Sequence, residues 1–493
     1  MYIRNEDIIC APATVPGTGA ISIIRASGQG VLELADRIIS CRKGKISEAE
    51  GYTIRFGKIH DCEGKILDEV LVSIFRAPHS YTGEDSIEIS CHASSYIVST
   101  IMDLLFSAGA RAAEPGEFTQ RAFLNGKMDL AQAEAVADVI ASQNSAAHRI
   151  AFSQMKGGFS KELKEMRDDL LKIVSLMELE LDFSEEEVEF ADRKQLDILL
   201  DMLLNHISTL IDSFRLGNAI KNGVPVAIAG ATNTGKSTLL NALLGEDRAI
   251  VSDIHGTTRD TIEETLNING ILFRFIDTAG LRDTVEVVEQ IGIERTFKKI
   301  SEASIILGMV DLTRDWNSTC DSVGEIIDKV DFTCQKLMIL LNKVDITSDN
   351  KNVNIINYIV SLLNNKGISG EVYDSTNKSE SSATREGKTV GIIQISAKTG
   401  AGTDILRCLL AESQQNLLGD SDTTLLTNQR HVQALADART SLLRVRDGLA
   451  SGLPTDLAAQ DIREAIYHLG SIIGEISTDE VLGNIFANFC IGK

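Results

Sequence analysis

The first quarter of the chain alternates short apolar runs with turn residues. Runs rich in β-forming residues occupy 20–25, 70–75 and 86–90, and Gly- and Pro-containing stretches such as VPGTG at 15–19 separate them. Short apolar runs bounded by such turns are typical of strands. The pattern therefore predicts a mixed α/β domain that ends near residue 125.

Helical periodicity begins near residue 128. Apolar residues recur at spacings of three and four over 196–214, and the same spacing is shown by Leu163, Met166, Leu170, Ile173 and Met177. No Pro lies between Pro115 and Pro225, so long helices are permitted there. The helical pattern returns after about residue 412 and continues to the C-terminus.

Strand and helix signals alternate in the central part of the chain, which is typical of a parallel α/β sheet. The strand candidates are 226–229, 272–276, 305–310, 337–341 and 392–395. Residues 346–390 are polar and rich in Asn and Ser, which indicates that this stretch includes a flexible insertion.

At 493 residues the chain is too long for one hydrophobic core. The three patterns predict an N-terminal α/β domain at 1–125 and a second α/β domain with a parallel-rich sheet and flanking helices at 221–411. This second domain is predicted to be inserted into a helical domain formed by 126–220 and 412–493.

Charge and cysteine usage narrow the function classes. The chain has 70 acidic and 48 basic residues and a net charge of -22. A protein that binds nucleic acid by charge alone would be basic, so any RNA would need a local patch or a partner protein. The eight cysteines include no CxxC pair, the N-terminus has no secretory signal, and no apolar stretch reaches the ~18 residues of a membrane span. These features predict a cytoplasmic protein without a membrane segment.

A phosphate-binding loop follows the first central strand. Residues 230–237 read GATNTGKS and fit the pattern GxxxxGK[ST] between an apolar strand and an apolar helix. Backbone N–H groups of such a loop surround the phosphates, Lys236 reaches the β and γ phosphates, and the Ser237 hydroxyl ligates Mg²⁺. A Gly-rich turn without a ligand is the weaker interpretation in this context.

Three further motifs predict that the ligand is GTP. Asp277 opens DTAG at 277–280, where Gly280 can sense the γ-phosphate. Residues 342–345 read NKVD, and 396–398 read SAK. The Asp345 carboxylate accepts hydrogen bonds from guanine N1–H and its 2-amino group, and adenine offers neither donor.

The four motifs together predict that the domain at 221–411 is a Ras-like P-loop GTPase domain. Two positions depart from the Ras-like pattern. Leu281 stands where Ras-like proteins carry the Gln that orients the attacking water, so hydrolysis must use another group. Asn233 in the phosphate loop could coordinate a monovalent cation beside the phosphates, or it could merely cap the loop.

Motifs along the whole chain resemble the tRNA-modification GTPase family MnmE/TrmE. They are YTGED at 81–85, PGEF at 115–118, RAFLNGKMDL at 121–130, GTTRD at 256–260, DTAGLR at 277–282, IGIER at 291–295 and FCIGK at 489–493. A departure is CHAS at 91–94, where the family usually has His-Gly-Gly.

The resemblance implies a potassium-activated GTPase that modifies C5 of the wobble uridine of certain tRNAs with a carboxymethylaminomethyl-type group. It implies an N-terminal domain that binds 5-formyl-tetrahydrofolate, or a related tetrahydrofolate, and forms a homodimer. It also implies an FAD-dependent partner subunit of the MnmG/GidA type, with which the protein would form a heterotetramer.

The resemblance also assigns residues. Mg²⁺ maps to Ser237 and Thr258, potassium to Asn233, Ser252, Ile254 and Thr257, and folate to Arg25, Glu88, Lys127 and Lys493. Lys236, Thr258 and Glu289 are the implied catalytic residues, and Glu289 would organise the attacking water in place of the missing Gln. From its charged local sequence alone, Glu289 would be read as part of a solvated helix face.

The complete set of predicted GTP-binding residues is Asn233, Thr234, Gly235, Lys236, Ser237, Thr238, Ser252, Asp253, Ile254, His255, Gly256, Thr257, Thr258, Asp277, Thr278, Ala279, Gly280, Asn342, Lys343, Asp345, Ser396, Ala397 and Lys398. Two interpretations of Cys490 stay open: it has a chemical role beside the folate, or it is a buried structural thiol.

Two other hypotheses compete with a tRNA-modifying enzyme. One is an RNA- or ribosome-binding assembly GTPase, although such proteins usually carry a basic appendage. The other is a folate-binding one-carbon carrier regulated by its GTPase domain.

Overall fold

The computed structural model forms two compact units. It describes residues 7–61, 63–182, 193–245, 264–276, 303–373, 389–414, 424–451, 455–476, 479–487, 489 and 492. Unit 1 comprises 1–141, 149–212 and 428–493, whereas unit 2 comprises 142–148 and 213–427.

Unit 1 contains a seven-stranded sheet of order β3-β4-β5-β6-β2-β1-β7. Its strands are β1 (Ile9–Pro12), β2 (Ser22–Ser27), β3 (Ile39–Cys41), β4 (Thr53–His60), β5 (Ile66–Phe75), β6 (Ser86–Cys91) and β7 (Arg111–Ala112). All neighbours are antiparallel except β1 and β7. The three predicted runs lie on β2, β5 and β6.

The two faces of this sheet differ. Residues on alternate positions, such as Ile24, Val72 and Ile89, are buried in a core with helices α1 (Val31–Ile38) and α2 (Ser95–Ser107). The opposite face carries large apolar side chains that are exposed in unit 1. Their exposed fractions are 63% for Ile54, 45% for Phe56 and 48% for Leu71. Antiparallel sheets commonly show this alternation.

Helices form the rest of unit 1. They are α3 (Glu117–Leu124), α4 (Leu130–Ala141), α6 (Gly158–Asp182), α12 (Gln429–Ala450), α13 (Thr455–Ile473) and α14 (Asp479–Phe486). The residues of α5 (Ser145–Met155) and of α7 (Arg193–Asn222) are divided between the two units. The predicted apolar stripe of α6, including Leu163 and Leu170, is buried, and α13 packs against α4, α6 and α12.

A buried charged cluster joins α4 to α12. The Arg430 Nε and Nη2 atoms donate to the two oxygens of Glu134 at 2.9 Å, and the His431 Nε2 atom lies 2.6 Å from Glu134 Oε2. Burial alone would raise the pKa of Glu134, but His431 and Arg430 lower it to about 2. The cluster therefore stabilises unit 1 above the ordinary carboxyl pKa, and this contribution is lost as the pH falls toward 2.

Unit 2 contains a second seven-stranded sheet, of order β13-β14-β12-β11-β8-β10-β9. Its strands are β8 (Val224–Ala229), β9 (Glu264–Ile268), β10 (Ile271–Ile276), β11 (Ile305–Asp311), β12 (Lys336–Asn342), β13 (Ser369–Tyr373) and β14 (Thr389–Ile395). Only the pairing of β9 with β10 is antiparallel among the described strands. The helices are α8 (Lys236–Gly245), α9 (Trp316–Asp328), α10 (Asp349–Asn365) and α11 (Thr403–Ser413), with a 3₁₀ turn at Val344–Ile346.

All five central strand predictions coincide with strands of this sheet. Every residue of β11 and all but the first of β12 are buried, as expected for parallel strands with both faces covered. A parallel-rich sheet with flanking helices agrees with the predicted fold class.

Much of the polar segment 346–390, which is predicted to include a flexible insertion, forms regular structure. Residues 349–365 form α10 and 369–373 form β13. Ile355, Ile359 and Leu363 recur every four residues and are buried, so an apolar stripe lies within an Asn-rich composition. Residues 374–388 lie outside the described residues.

Across the described ranges, no helix combines the length and the apolar character that crossing a bilayer would require.

Candidate nucleotide site

Four parallel strands of unit 2 end at one edge of the sheet. Asp311 at the end of β11 is in register with Asn342 at the end of β12, and Asn342 is in register with Ile395 at the end of β14. In open α/β sheets, ligands bind outside the carboxyl ends of the strands. The phosphate loop follows the neighbouring strand β8, so this loop meets the NKVD and SAK segments at this edge.

Glycines allow the phosphate loop to turn tightly between β8 and α8. A Cβ atom on Gly235, whose φ is 98°, would lie 2.5 Å from Asn342 Nδ2. A Cβ atom on Gly230 would lie 2.5 Å from the Met309 carbonyl oxygen. Asn233 is exposed and adopts a positive φ of 62°, a conformation that Asn tolerates better than most residues. The loop is thus formed by residues that permit a close approach of backbone to ligand.

Lys236 lies inside this loop. Its Nζ atom donates to the carbonyl oxygens of Gly230 at 2.8 Å and Ala231 at 2.9 Å. Burial lowers the pKa of Lys236, and the positive charge of Arg314 lowers it further. A partly desolvated ammonium enclosed by loop carbonyls is a suitable partner for phosphate oxygens. Ser237 follows in the first turn of α8 and is half-buried, whereas Thr238 is exposed.

Asn342 connects three loops of the site. It is 2% exposed, and its Nδ2 atom donates to the Thr234 carbonyl oxygen at 2.7 Å. Its Oδ1 atom accepts from the Ala397 backbone N–H at 3.0 Å. The Thr234 hydroxyl in turn donates to the Ala231 carbonyl oxygen at 2.9 Å. The phosphate loop and the SAK segment are therefore held at fixed positions beside the NKVD segment.

The remaining base-reading residues surround this connection. Lys343 has a positive φ of 72°, and its Nζ atom donates to Asp311 Oδ2 at 2.7 Å. Asp345 and Lys398 are exposed at the same edge. Ser396 is buried, and its hydroxyl oxygen accepts from the Thr399 N–H at 3.3 Å.

Asp311 and Arg314 belong to the site although no predicted motif includes them. Asp311 contacts Lys343, and the Arg314 guanidinium donates to the Thr232 carbonyl oxygen of the phosphate loop. The available signal was the position of Asp311 directly after a fully apolar strand, where the other site motifs also begin.

Several predicted site residues lie outside the described residues: Ser252, Asp253, Ile254, His255, Gly256, Thr257, Thr258, Asp277, Thr278, Ala279, Gly280, Glu289, Cys490 and Lys493. Their roles remain predictions. In the described ranges no group of three or more His, Cys, Asp or Glu side chains could hold a metal ion. A Mg²⁺ ion would instead fit the hydroxyl of Ser237, since Mg²⁺ with a nucleotide takes few protein ligands besides phosphates and water.

A second candidate site lies on the sheet of unit 1. Arg25 on β2 faces Glu88 on β6 across the sheet, with its Nε and Nη2 atoms 3.0 and 2.8 Å from Glu88 Oε1. The rings of Tyr81 and Phe118 lie 5.4 and 5.7 Å from the guanidinium carbon. The Arg25 Nη1 atom donates to the Gly492 carbonyl oxygen at 3.3 Å, so the C-terminal segment reaches this pair.

Lys127 contacts the loop between β5 and β6. Its Nζ atom donates to the Pro78 carbonyl oxygen at 2.9 Å, and its side chain borders Gly83. The structure thus joins two of the four predicted folate residues directly, and the C-terminal segment that carries Lys493 contacts Arg25 through Gly492.

A phosphate loop on the first strand, with NKVD and SAK segments joined through Asn342, defines unit 2 as the GTP-binding module of a P-loop GTPase. Two family descriptions match the chain: "GTP-binding protein TrmE N-terminus" over residues 8–127 and "MnmE helical domain" over residues 130–490. The chain belongs to the tRNA modification GTPase MnmE family, and the predicted resemblance and the predicted GTPase are thereby confirmed.

Curated relatives match over their full length. The tRNA modification GTPase MnmE of Bacteroides thetaiotaomicron is 50% identical over 493 residues, covering 99% of this chain and 100% of the relative. That of Parabacteroides distasonis is 50% identical over 489 residues, covering 98% and 99%. The solved Era structure of Aquifex aeolicus is 24% identical over 44% of this chain and 66% of its own, with a TM-score of 0.27, which is too low to support a conclusion.

Proposed function

We propose that this GTPase is activated by potassium and acts in tRNA modification. With an FAD-dependent partner of the MnmG/GidA type, it would add a carboxymethylaminomethyl-type group to C5 of the wobble uridine, using a tetrahydrofolate one-carbon unit. The names of the full-length relatives support the tRNA role. The main structural support for GTP binding is the pair of hydrogen bonds that Asn342 makes to Thr234 and Ala397. They hold the phosphate loop beside the NKVD and SAK segments.

The binding step follows from the contacts of Lys236. When GTP enters, its phosphate oxygens replace the carbonyls of Gly230 and Ala231 as acceptors for the Lys236 ammonium, and loop N–H groups donate to the phosphates. The Asp345 carboxylate accepts from the guanine N1–H and 2-amino groups. Lys343, held by Asp311, lies beside the base. Because Asn342 already holds the phosphate loop and the SAK segment beside the NKVD segment, little ordering of these three segments opposes binding.

Hydrolysis needs a group that replaces the Gln of Ras-like proteins. Glu289 is proposed to orient the attacking water, because Leu281 cannot. Lys236 stabilises the negative charge that develops on the transferred phosphoryl group. Ser237 and Thr258 would hold Mg²⁺, and Asn233 with Ser252, Ile254 and Thr257 would hold K⁺. These ions would supply positive charge at the phosphates. The exposed position of Asn233 in the loop is compatible with that role.

The Arg25–Glu88 pair is proposed as the centre of a reduced-folate site. A guanidinium and a carboxylate side by side offer donors and acceptors to the polar edge of a pterin ring. The partly exposed Tyr81 ring offers apolar contact, whereas the Phe118 ring is buried beside the guanidinium. Lys127 and Lys493 would bind the negatively charged glutamate portion. A bound tetrahydrofolate would supply the one-carbon unit.

A homodimer through the N-terminal domain is part of the proposal. The open face of the unit 1 sheet exposes Ile54, Phe56 and Leu71 next to one another across β4 and β5. Contiguous apolar side chains on a surface mark an interaction site. We place this dimer, and the heterotetramer that it forms with the partner subunit, in the cytoplasm.

Mass analysis of tRNA nucleosides tests the proposed function. A strain lacking the protein should lose the wobble-uridine modification, and a plasmid with the wild-type chain should restore it, whereas one with Lys236→Ala should not. Unmodified nucleosides in the wild-type strain, or full modification in the deletion strain, would exclude the tRNA role.

A comparison of alkali ions tests activation separately. Purified protein should hydrolyse GTP at least about tenfold faster in KCl than in NaCl at equal ionic strength. Asn233→Ala should remove this difference, because the ion would lose its amide ligand. Equal wild-type rates in both salts would contradict a potassium site.

A further inference from the structure

The short turn that follows β11 contacts both ends of the nucleotide site. We refer to Asp311, Leu312, Thr313 and Arg314 as the 311–314 turn. Its first residue contacts the base-reading segment and its last residue contacts the phosphate loop. None of its residues belongs to the four nucleotide-binding motifs.

Asp311 holds Lys343 at the base end. The Asp311 side chain is 5% exposed, and its Oδ2 atom accepts from Lys343 Nζ at 2.7 Å. Its Oδ1 atom accepts from the N–H and the hydroxyl of Thr313 at 2.9 and 2.6 Å. Burial alone would raise the pKa of Asp311, but the bonds from Lys343 and Thr313 lower it. The carboxylate is therefore charged at neutral pH and fixes the position of the Lys343 ammonium.

Arg314 holds the phosphate loop at the other end. Its Nη2 atom donates to the carbonyl oxygen of Thr232, the residue before Asn233. Its positive charge also acts on Lys236, whose pKa it lowers. Arg314 thus restrains the outer part of the loop and adds positive charge near the place where the phosphates would lie.

Hydrogen bonds to backbone groups of the turn hold it in place. The Arg314 N–H donates to the Asp311 carbonyl oxygen at 3.4 Å, and the Leu312 N–H donates to the Asn342 carbonyl oxygen at 3.2 Å. The Lys351 Nζ atom, from α10, donates to the Arg314 carbonyl oxygen at 2.6 Å. A displacement of either end would therefore be transmitted to the other through a short, hydrogen-bonded segment.

We propose that the 311–314 turn couples the guanine-reading segment to the phosphate loop, with Asp311 and Arg314 as positioning residues for the nucleotide. Neither residue is assigned to the chemical step. The proposal rests on the proposed GTP binding and adds the means by which the two ends of the site are held in register.

The test measures the dissociation constant of mant-GDP, a fluorescent GDP derivative, and the kcat and KM for GTP of the full chain. Arg314→Ala should raise the dissociation constant and KM about tenfold, with kcat within about twofold, because a charge-assisted bond of ~1.4 kcal/mol is lost. Arg314→Lys keeps the positive charge and should stay within about threefold of wild type. Lys366→Ala, a surface change at the far end of α10, is the matched control and should bind as wild type does.

The double variant tests the coupling itself. Asp311→Asn should weaken mant-GDP binding about tenfold. If the turn acts as one unit, Asp311→Asn combined with Arg314→Ala should weaken it about 10- to 30-fold, not the ~100-fold of independent sites. A full ~100-fold loss, or wild-type binding by Arg314→Ala, would overturn the proposal.

Two measurements keep these outcomes separate. Urea unfolding of the nucleotide-free variants shows whether each one folds. If the alanine variant does not fold, Arg314→Gln, which removes the charge but keeps a long polar side chain, replaces it and should also weaken mant-GDP binding about tenfold. If the wild-type chain binds mant-ADP as tightly as mant-GDP, the proposed GTP binding fails. If it prefers mant-GDP but Arg314→Ala is unchanged, only the coupling fails.

Discussion

The two seven-stranded sheets of this protein place their candidate sites in different ways. In unit 2 both faces of the parallel strands are covered, and the site residues follow the strands at one edge. In unit 1 one face of the antiparallel sheet is open, and Arg25 and Glu88 are a cross-strand pair within the sheet. The nucleotide site is thus attached to its sheet, whereas the proposed folate site is part of its sheet.

This difference predicts how function and stability should respond to substitution. Loops at strand ends can change with little effect on strand pairing. A cross-strand pair contributes to the sheet as well as to any ligand. Substitutions in the nucleotide site should therefore affect activity alone, and substitutions at Arg25 should affect binding and stability together.

The largest effect is expected for Lys236→Ala. The loss of the ammonium removes charge stabilisation from the phosphates, so kcat for GTP should fall about 10³-fold. The free energy of unfolding in urea should change by less than about 1 kcal/mol. Steady-state phosphate release and urea titration measure the two quantities, with Lys366→Ala as the control. Destabilisation of several kcal/mol would contradict the separation of site and sheet.

Asp345→Asn should change the base that is recognised. An amide presents a donor where the carboxylate accepts from guanine, so GTP affinity should fall about 100-fold. Xanthosine triphosphate, which offers an acceptor in place of the 2-amino group, should gain affinity. Competition with mant-GDP measures both changes. A parallel loss for the two nucleotides would mean that Asp345 does not read the base.

Arg25→Ala should reduce both the affinity for folate and the free energy of unfolding. Binding of 5-formyl-tetrahydrofolate, measured calorimetrically, should weaken about 30-fold. The free energy of unfolding should fall by about 1–2 kcal/mol, because the partly buried Glu88 loses its charged partner. Lys58→Ala removes an exposed ion pair with Glu69 on the same face, and it should leave folate binding unchanged. Weaker folate binding at unchanged stability would show that the pair is not a structural part of the sheet.

The smallest effect is expected for Phe56→Ser on the open face. The dissociation constant of the homodimer, from analytical ultracentrifugation, should rise about tenfold or less, because one exposed ring of the patch is lost. The unfolding free energy of the monomer should fall by no more than about 1 kcal/mol, because Phe56 is only about half-buried in unit 1. An unchanged dimer would place the interface elsewhere.

The sequence predicted the strands of unit 2 better than those of unit 1. Strands with both faces covered are continuous apolar runs, so β8, β10, β11, β12 and β14 were recognised. β4 begins with Thr53 and carries Arg55 and Lys58 between its apolar residues. It therefore does not form the continuous apolar run from which a strand can be predicted. The apolar stripe of α10 was likewise difficult to predict, because Asn residues surround Ile355 and Ile359.

The site motifs were predictable, but their connections were not. Fixed spacing identifies Lys236 and Asn342, because each sits in a short contiguous pattern. The bonds of Lys343 to Asp311 and of Arg314 to Thr232 join residues 32 and 82 positions apart. Such contacts depend on strand order and register, which a single sequence does not specify.

The discontinuity of unit 1 has a consequence for synthesis on the ribosome. Glu134 and Arg430 are 296 residues apart. At a translation rate of ~5–20 residues per second, α12 is therefore synthesised roughly 15–60 s after α4. During that interval all of unit 2 is translated and can complete its sheet, while the helices of unit 1 lack their C-terminal partners. The nascent chain therefore carries a finished GTPase module beside an incomplete helical one, whose uncovered apolar stripes are candidate sites for chaperone binding.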